Sequence, residues 1–520
     1  MNDFNWGKWL KWPVTVVTAV ASLWLVFAIY SAGQPVWAVV VLAFAALGFF
    51  VYLSDVAFAF RYVFPGLAAM AIFVAFPLLY TMQIGFTNYS SNNLLSQSRA
   101  TQYLLEQSTA LQEKAYTFAL YADGPEFRLV LTPAQDDAPV DIPPSTAGSL
   151  VSPSLALLNA GLPSPIKMQT LAQGSFAPAQ ALPLIEVLKH RSALLQLKLE
   201  LPDGPLLSYA GVREFAPLEP LWQAHADGSL TQLESKTLYQ PNLATGYFED
   251  AKGLRVQPGF KTGVGWANYA RMVSDADFRS SFFSIFTWTV VFSALTVLFT
   301  TAVGLTLAVI LNWESLRFKG TYRMLLFLPY AVPSFISILV FKGLFNQNFG
   351  EINMILNSLF GIKPAWFAEP IWARSMLLIV NTWLGYPYIM VLCTGLIKAI
   401  PSDLYEASAI AGAKPLTNFF KITVPLIVKP LTPLLIAAFA FNFNNFVLVA
   451  LLTDGRPDFL NTKLPAGTTD LLVSFTYRIA FKDSGQNFGL AAAISTVIFI
   501  MVAALSFANL RLAKVNVPAK

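Results

Sequence analysis

Cysteine occurs once in 520 residues, at Cys393, so no disulfide can close within the chain. Histidine occurs twice, at His190 and His225, and no cluster of ligating residues surrounds either; both read as solvated surface residues. Charge is scarce as well: 12% of residues are Asp, Glu, Lys or Arg against 55% hydrophobic, which excludes an ordinary soluble protein. There is no G-x-x-x-x-G-K-[ST] phosphate loop, so the chain cannot hydrolyse ATP by itself.

Long apolar runs take the place of charge. They fall at 13–31, 36–53, 64–86, 281–311, 323–341, 375–397, 425–452 and 488–510, each near or above the ~20 residues that cross hydrocarbon. Eight membrane helices are expected. The first run lacks a small-residue cleavage site before polar chain, and the second follows directly after Ser31-Ala32-Gly33-Gln34-Pro35, so a retained anchor is expected. Alternating the spans places Lys8, Lys11, Arg61, Arg317, Lys319, Arg323, Lys398, Lys414, Lys421, Lys429, Arg511, Lys514 and Lys520 on one side. The acids there are Asp3, Asp55, Glu314, Asp403 and Glu406. The opposite short loops are balanced, with Lys342, Lys363 and Arg374 facing Glu351 and Glu369. Basic residues mark the cytoplasmic side, so both termini and the loop around Glu406 are expected there. The net charge of +5 reflects this topology and not an affinity for nucleic acid.

Between Asn88 and Arg279 the composition turns polar, with most of the acids and many prolines and glycines. Leu195, Leu197, Leu199 and Leu201 alternate with Gln196, Lys198 and Glu200, which predicts a strand. Pro202-Asp203-Gly204 supplies a turn, and Leu206–Tyr209 can pair back as a hairpin. Phe127–Leu131 and Tyr116–Tyr121 are weaker strand candidates, and Asp136–Pro144, rich in acid and proline, predicts a surface loop. The expected division is three helices over 1–87, a folded soluble domain outside the membrane over 88–279, and five helices over 280–520. In a Gram-negative cell the outside is the periplasm.

The polar loop 398–425 carries Glu406-Ala407-Ser408, then Gly412, then Ile422, Val424 and Pro425. Asp403 and Glu406 suit the positive end of a short helix, Gly412 permits a tight turn, and Pro425 fits the first turn of the next span. An ordinary amphipathic loop would share some of these features; seven matched positions in a polytopic protein point further. The pattern resembles the cytoplasmic coupling loop of ABC importer permeases, which enters a cleft of the ATP-binding subunit. Longer segments are similar to the larger permease subunits of maltose/maltodextrin importers (MalF type). They are Gln83–Ser91, Gly265–Tyr269, Asn381–Tyr388 and, most specifically, Phe439–Phe446.

The resemblance implies an all-α polytopic membrane protein of the type I importer permease fold with a large, partly β periplasmic insertion. It implies an inner-membrane location and no catalysis by this chain. It also implies a second permease subunit (MalG type), a homodimeric ATPase (MalK type) holding ATP and Mg, a periplasmic maltose-binding protein, and maltose or maltodextrin as cargo. Glu406, Ala407, Ser408 and Gly412 would be the ATPase-coupling residues.

A neutral sugar needs hydrogen-bonding groups for its hydroxyls and flat apolar faces for its C–H surfaces. At 100° per residue, Asn381, Leu384, Gly385 and Tyr388 share one arc, and Phe441, Asn442, Asn445 and Val449 share another, with Ala438 on that face and Asn444 off it. The alternative is that these asparagines simply bridge helices. The resemblance implies that Tyr330, Asn381, Leu384, Gly385, Tyr388, Phe441, Asn442 and Asn445 line the sugar pocket, with Ala438 where the family carries serine. Pro387, Pro329 and Pro333 are expected to bend or unwind their helices.

Two other classes fit less well. An ion-coupled secondary sugar transporter needs ionisable groups in its spans, and these are almost absent. A membrane glycosyltransferase needs a carboxylate or metal cluster, whereas Asp454, Asp458 and Asp470 are scattered among Arg456 and Lys463 and read as solvated. Within the permease class, another neutral oligosaccharide stays open. A phosphorylated cargo would favour Arg or Lys facing the pocket, and none appears among the pocket candidates.

Overall fold

In hydrocarbon, backbone polar groups must be satisfied within the segment, and uncharged runs of Val, Leu, Ala and Phe therefore become helices. The computed structural model describes residues 6–54, 58–124, 126–133, 149–155, 165–170, 181–313, 315–483 and 485–515. Among these, seven helices are long and apolar enough to cross a membrane: Trp12–Ser31, Pro35–Leu53, Phe60–Gly85, Ala276–Asn312, Pro370–Lys398, Pro415–Phe443 and Phe488–Phe507. The chain divides into two units. One holds Met1–Phe86, Asn268–Ile479 and Leu490–Lys520; the other holds Thr87–Ala267 with Ala480–Gly489.

The expected span at 323–341 is not one helix. It splits into Lys319–Leu326, a 3-10 turn at Leu328–Tyr330, and Ser334–Leu344. Pro329 and Pro333 lack amide donors, so the helical ladder cannot run through them. The Tyr386 hydroxyl donates to the Leu326 carbonyl at 2.9 Å, satisfying an acceptor beside the break. Pro387 acts differently: the helix Pro370–Lys398 is continuous through it. The span expected at 425–452 also differs. Its helical path begins at Pro415, passes a π turn at Phe419–Thr423, and ends at Phe443. A separate helix, Phe446–Leu452, follows.

The loop after that helix corrects another expectation. Asp470 is 0% exposed, not solvated. Its carboxylate accepts from Gly467 N at 2.8 Å, Ser474 Oγ at 2.8 Å and Arg478 Nη1 at 2.8 Å. Arg478 reaches Asp458 as well, at 2.5 Å. Burial pushes the Asp470 carboxyl up to about 6, opposed by the Arg478 guanidinium. Gly455 makes room, since an added Cβ would come 2.2 Å from an Asp470 oxygen. Removing one partner of a buried pair strands the other, so Asp470→Ala is expected to lower stability by about 3 kcal/mol. The thermal unfolding midpoint in detergent should fall; an unchanged midpoint would contradict this account.

The second unit is β-rich. Among the described residues, its larger sheet orders eight strands as Ile166–Lys167, Lys198–Glu200, Leu206–Gly211, Glu214–Ala216, Tyr116–Asp123, Glu126–Pro133, Leu150–Val151 and Gln169–Thr170. All neighbours are antiparallel except the first pair. The predicted hairpin forms around Gly204, at φ +94°. Its first strand is shorter than expected, because Arg191–Leu194 is helical and Leu195 caps it. Phe118, Leu120, Leu129, Leu199, Leu207 and Phe215 fill the core. A five-stranded meander from Trp222–Ala224 to Arg255–Val256 packs around Trp222, Tyr239, Phe248 and Phe260. The loop expected at Asp136–Pro144 lies outside the described residues.

Candidate functional site

Three of the sequence-selected asparagines meet. Asn381, 6% exposed, comes from the helix Pro370–Lys398, and Asn442, 8% exposed, from the last turn of Val424–Phe443. Asn381 Nδ2 donates to Asn442 Oδ1 at 2.8 Å and to Thr296 Oγ1 at 3.2 Å. Asn381 Oδ1 accepts from Asn445 Nδ2 at 3.1 Å. Asn442 Nδ2 donates back to the Ala438 carbonyl at 2.8 Å. An unpaired buried amide costs about 1–3 kcal/mol, and here the amides offset that by bridging one another. The same groups present hydroxyl-compatible donors and acceptors at one place.

Asn442 and Asn445 do not reach this point as a continuous helix. Asn444 is non-helical (φ −109°, ψ 23°), and Asn445 caps the next helix, its Oδ1 accepting from Leu448 N at 3.4 Å. An asparagine side chain competes with backbone hydrogen bonds and so favours such caps. Asn444 stays outside the cluster, its amide 3.4 Å from the Ala440 carbonyl.

The remaining predicted residues separate into two groups. Tyr330, 50% exposed, stacks on Phe327 at 5.1 Å and lies within electrostatic reach of Tyr388, which is 44% exposed. Leu384 packs on the core of Phe292, Met376 and Val449. Gly385 allows helix contact, since a Cβ there would lie 2.8 Å from Thr300 Cγ2. Phe441 is 74% exposed, next to the buried Asn442. Thr296 was missed. Its signal is the hydroxyl series Thr289, Ser293, Thr296 and Thr300, spaced along one helical face of Ala276–Asn312.

In the polar loop, Asp403–Ile410 forms the short helix, with Asp403 and Glu406 in its first turn. It ends in a Schellman arrangement: Ala413 N donates to Ser408 O at 3.0 Å and Gly412 N to Ala409 O at 2.9 Å. Gly412 sits at φ +72° with nothing within 4 Å of where a Cβ would be, so its requirement is the left-handed backbone and not close packing. The Ser408 hydroxyl donates to Asn418 Oδ1 at 2.5 Å, and Tyr405 and Thr423 share a hydrogen bond at 2.9 Å. These tie the helix to Pro415–Asn418 and to the π turn Phe419–Thr423 that follows it. Glu406 and Ala407 are exposed, beside Ile410 at 89%, Leu416 at 72% and Phe420 at 64%. The helix pair thus exposes several apolar side chains and the Glu406 carboxylate.

Helical spans with such a loop define a class. Residues 300–515 match the family described as binding-protein-dependent transport system inner membrane component. The chain is a multi-pass inner-membrane permease of that class, and it has no catalytic role of its own. Residues 95–265 match the maltose transport system permease protein MalF P2 domain. The maltose/maltodextrin transport system permease protein MalF of Klebsiella aerogenes is 49% identical over 509 residues, covering 96% of each chain. That of Yersinia pestis is 48% identical over 516 residues, covering 98% of this chain and 94% of its own. The chain belongs to the MalF family. Among solved structures, a bacterial ABC transporter importing the acidic polysaccharide alginate aligns with TM-score 0.38 and 19% identity. That match covers 48% of this chain and 84% of the other.

Proposed function

We propose that the chain forms half of the translocation path of an ATP-driven maltose/maltodextrin importer. The observation that carries this is identity near one half, sustained over 96% of the chain, to proteins named for that transport system. The partners follow from the same relationship. They are a second permease subunit of the MalG type, a homodimeric ATPase of the MalK type that holds ATP and Mg, and a periplasmic maltose-binding protein.

The sugar path runs past Asn381, Asn442 and Asn445, with Tyr330 and Tyr388 supplying aromatic faces and hydroxyls. Leu384 and Gly385 set the helix spacing behind them. Phe441, exposed on this chain alone, is placed to face the other half of the path. The mutual amide bonds support this reading in a specific way: sugar hydroxyls can replace them one for one without stranding a polar group. Glu406, Ala407, Ser408 and Gly412 belong to the surface that meets the ATPase. The apolar residues Ile410, Leu416 and Phe420 supply its buried area.

Both termini and the coupling loop lie in the cytoplasm, and the unit Thr87–Ala267 lies in the periplasm, where it helps hold the binding protein. The positive-inside bias supports this orientation. A cysteine placed at the exposed Ser98 should react with an impermeant thiol reagent added to the periplasmic side of intact cells. Reaction only after the cytoplasm is opened would overturn the orientation. The proposed complex is tested by purification through a tag on this chain. Co-recovery of an ATPase, with maltose-stimulated hydrolysis in the presence of the binding protein, is the expected result.

A further inference from the structure

We propose that Thr296 is a positioning residue for the sugar path, holding the Asn381 carboxamide in one orientation with or without sugar; this rests on reading the asparagine cluster as part of that path. The terminal torsion of an asparagine is broad and two-fold, so its partners must decide which end of the amide faces which neighbour. Here the backbone decides. The Ala438 carbonyl can only accept, and at 2.8 Å it takes a proton of Asn442 Nδ2, which turns Asn442 Oδ1 toward Asn381. An oxygen at that place requires Asn381 to present Nδ2. Asn381 Oδ1 is then left for Asn445 Nδ2, and Asn445 Oδ1 for the Leu448 amide. The hydrogen bonds therefore run one way through three side chains, from one backbone group to another.

An amide nitrogen carries two protons. Asn381 Nδ2 gives one to Asn442 Oδ1 at 2.8 Å and the other to Thr296 Oγ1 at 3.2 Å. Thr296 differs from the other hydroxyls on its face of Ala276–Asn312. Thr289, Ser293 and Thr300 each donate to the carbonyl four residues back, at 2.8, 2.7 and 2.7 Å, a common habit of helical Ser and Thr. Thr296 makes no such bond among the described residues and serves as an acceptor for Asn381. At 2% exposed, it acts behind the amide and needs no contact with sugar.

The second proton matters when sugar arrives. A sugar hydroxyl that donates to Asn442 Oδ1 displaces Asn381 Nδ2 from that oxygen. With Thr296 in place, Asn381 keeps one bond and turns the freed proton to a sugar oxygen. Without it, the displaced nitrogen loses its tether and the carboxamide rotates. Helix packing does not depend on this bond. Added Cβ atoms at Gly385 and Gly304 would each lie 2.8 Å from the facing helix, at Thr300 Cγ2 and Ile389 Cβ, so bare glycines set the close approach. Loss of the Thr296 hydroxyl should therefore disturb the amide and spare the fold.

The test uses the whole complex in proteoliposomes with saturating binding protein, and compares Thr296→Val with Thr296→Ser. Three quantities are read: maltose uptake per complex, the thermal unfolding midpoint, and the positions of adducts from a photoreactive maltotriose. Thr296→Val should lower uptake about fivefold, the loss of roughly one hydrogen bond to a misplaced amide, with the midpoint unchanged. Adducts within Asn381–Tyr388 should fall by a similar factor relative to those within Ala438–Asn445. Thr296→Ser keeps the hydroxyl and should restore both. A lowered midpoint in both variants, with adducts lost equally from the two segments, would overturn the positioning role in favour of helix packing. Unchanged uptake and adducts in Thr296→Val would also overturn it. The unsubstituted complex separates the two levels. If its adducts miss both segments, the path itself is wrong and this role falls with it; if they lie there but do not respond to Thr296→Val, only the role of Thr296 is wrong.

Discussion

Maltose uptake should fall about tenfold or more in Asn442→Ala, measured per membrane-inserted protein, with insertion itself preserved. The alanine removes the acceptor for Asn381 Nδ2, which retains only the longer bond to Thr296 at 3.2 Å. It also removes one candidate partner for a sugar hydroxyl. A lost hydrogen bond with an amide left partly unpaired is worth about 1–3 kcal/mol, and 1.4 kcal/mol is a factor of ten. Tyr388→Ala should reduce uptake comparably through loss of an aromatic face, and its partial exposure predicts little effect on folding. Asn444→Ala is the internal control, because Asn444 makes only a long bond to its own helix. Ala438→Ser adds a hydroxyl beside the carbonyl that Asn442 uses, and should shift uptake modestly without loss of protein. Full normalised uptake in both Asn442→Ala and Tyr388→Ala would make the amides structural bridges and place the path elsewhere.

Gly412→Asp should abolish the link between ATP hydrolysis and transport. Two effects combine there. A residue with a Cβ is forced into φ +72°, costing roughly 1 kcal/mol. A negative charge is also added on an exposed surface that already carries Glu406 and Asp403. Gly412→Asn tolerates the same backbone without the charge and separates the two. The complex carrying Gly412→Asp is expected to assemble and hydrolyse ATP while maltose accumulation in proteoliposomes drops more than about tenfold, roughly 1.4 kcal/mol or more of lost coupling. Gly412→Asn should retain most transport. If Gly412→Asp transports normally, the loop is not the coupling element.

Membrane helices were legible wherever apolar length alone decided the matter. The breaks were less so. Pro329 and Pro333 announce theirs, because a missing amide donor acts locally. The break at Asn444 does not, since an asparagine can lie on a helix face or cap a new helix, and only the partner Asn381 on a distant helix selects between them. Helical geometry still brought Asn442 and Asn445 to one place, with Phe441 left exposed on this chain.

Burial of Asp470 was hidden for a related reason. Its partner Arg478 lies eight residues on, and the space for its carboxylate comes from Gly455, fifteen residues earlier. In the β unit, alternation found the hairpin at Gly204 but underrated the longest strands. Leu129, Val130 and Leu131 are all buried, because that strand is covered on both faces and shows no period of two.

A maltotriose bearing a photoreactive group, delivered to the assembled complex by the binding protein and activated by light, locates the sugar directly. Peptide mapping of this chain should find adducts within Asn381–Tyr388 and Ala438–Asn445, and unlabelled maltose should compete them away. Adducts confined to other helices, or insensitive to maltose, would contradict a sugar path between these two segments.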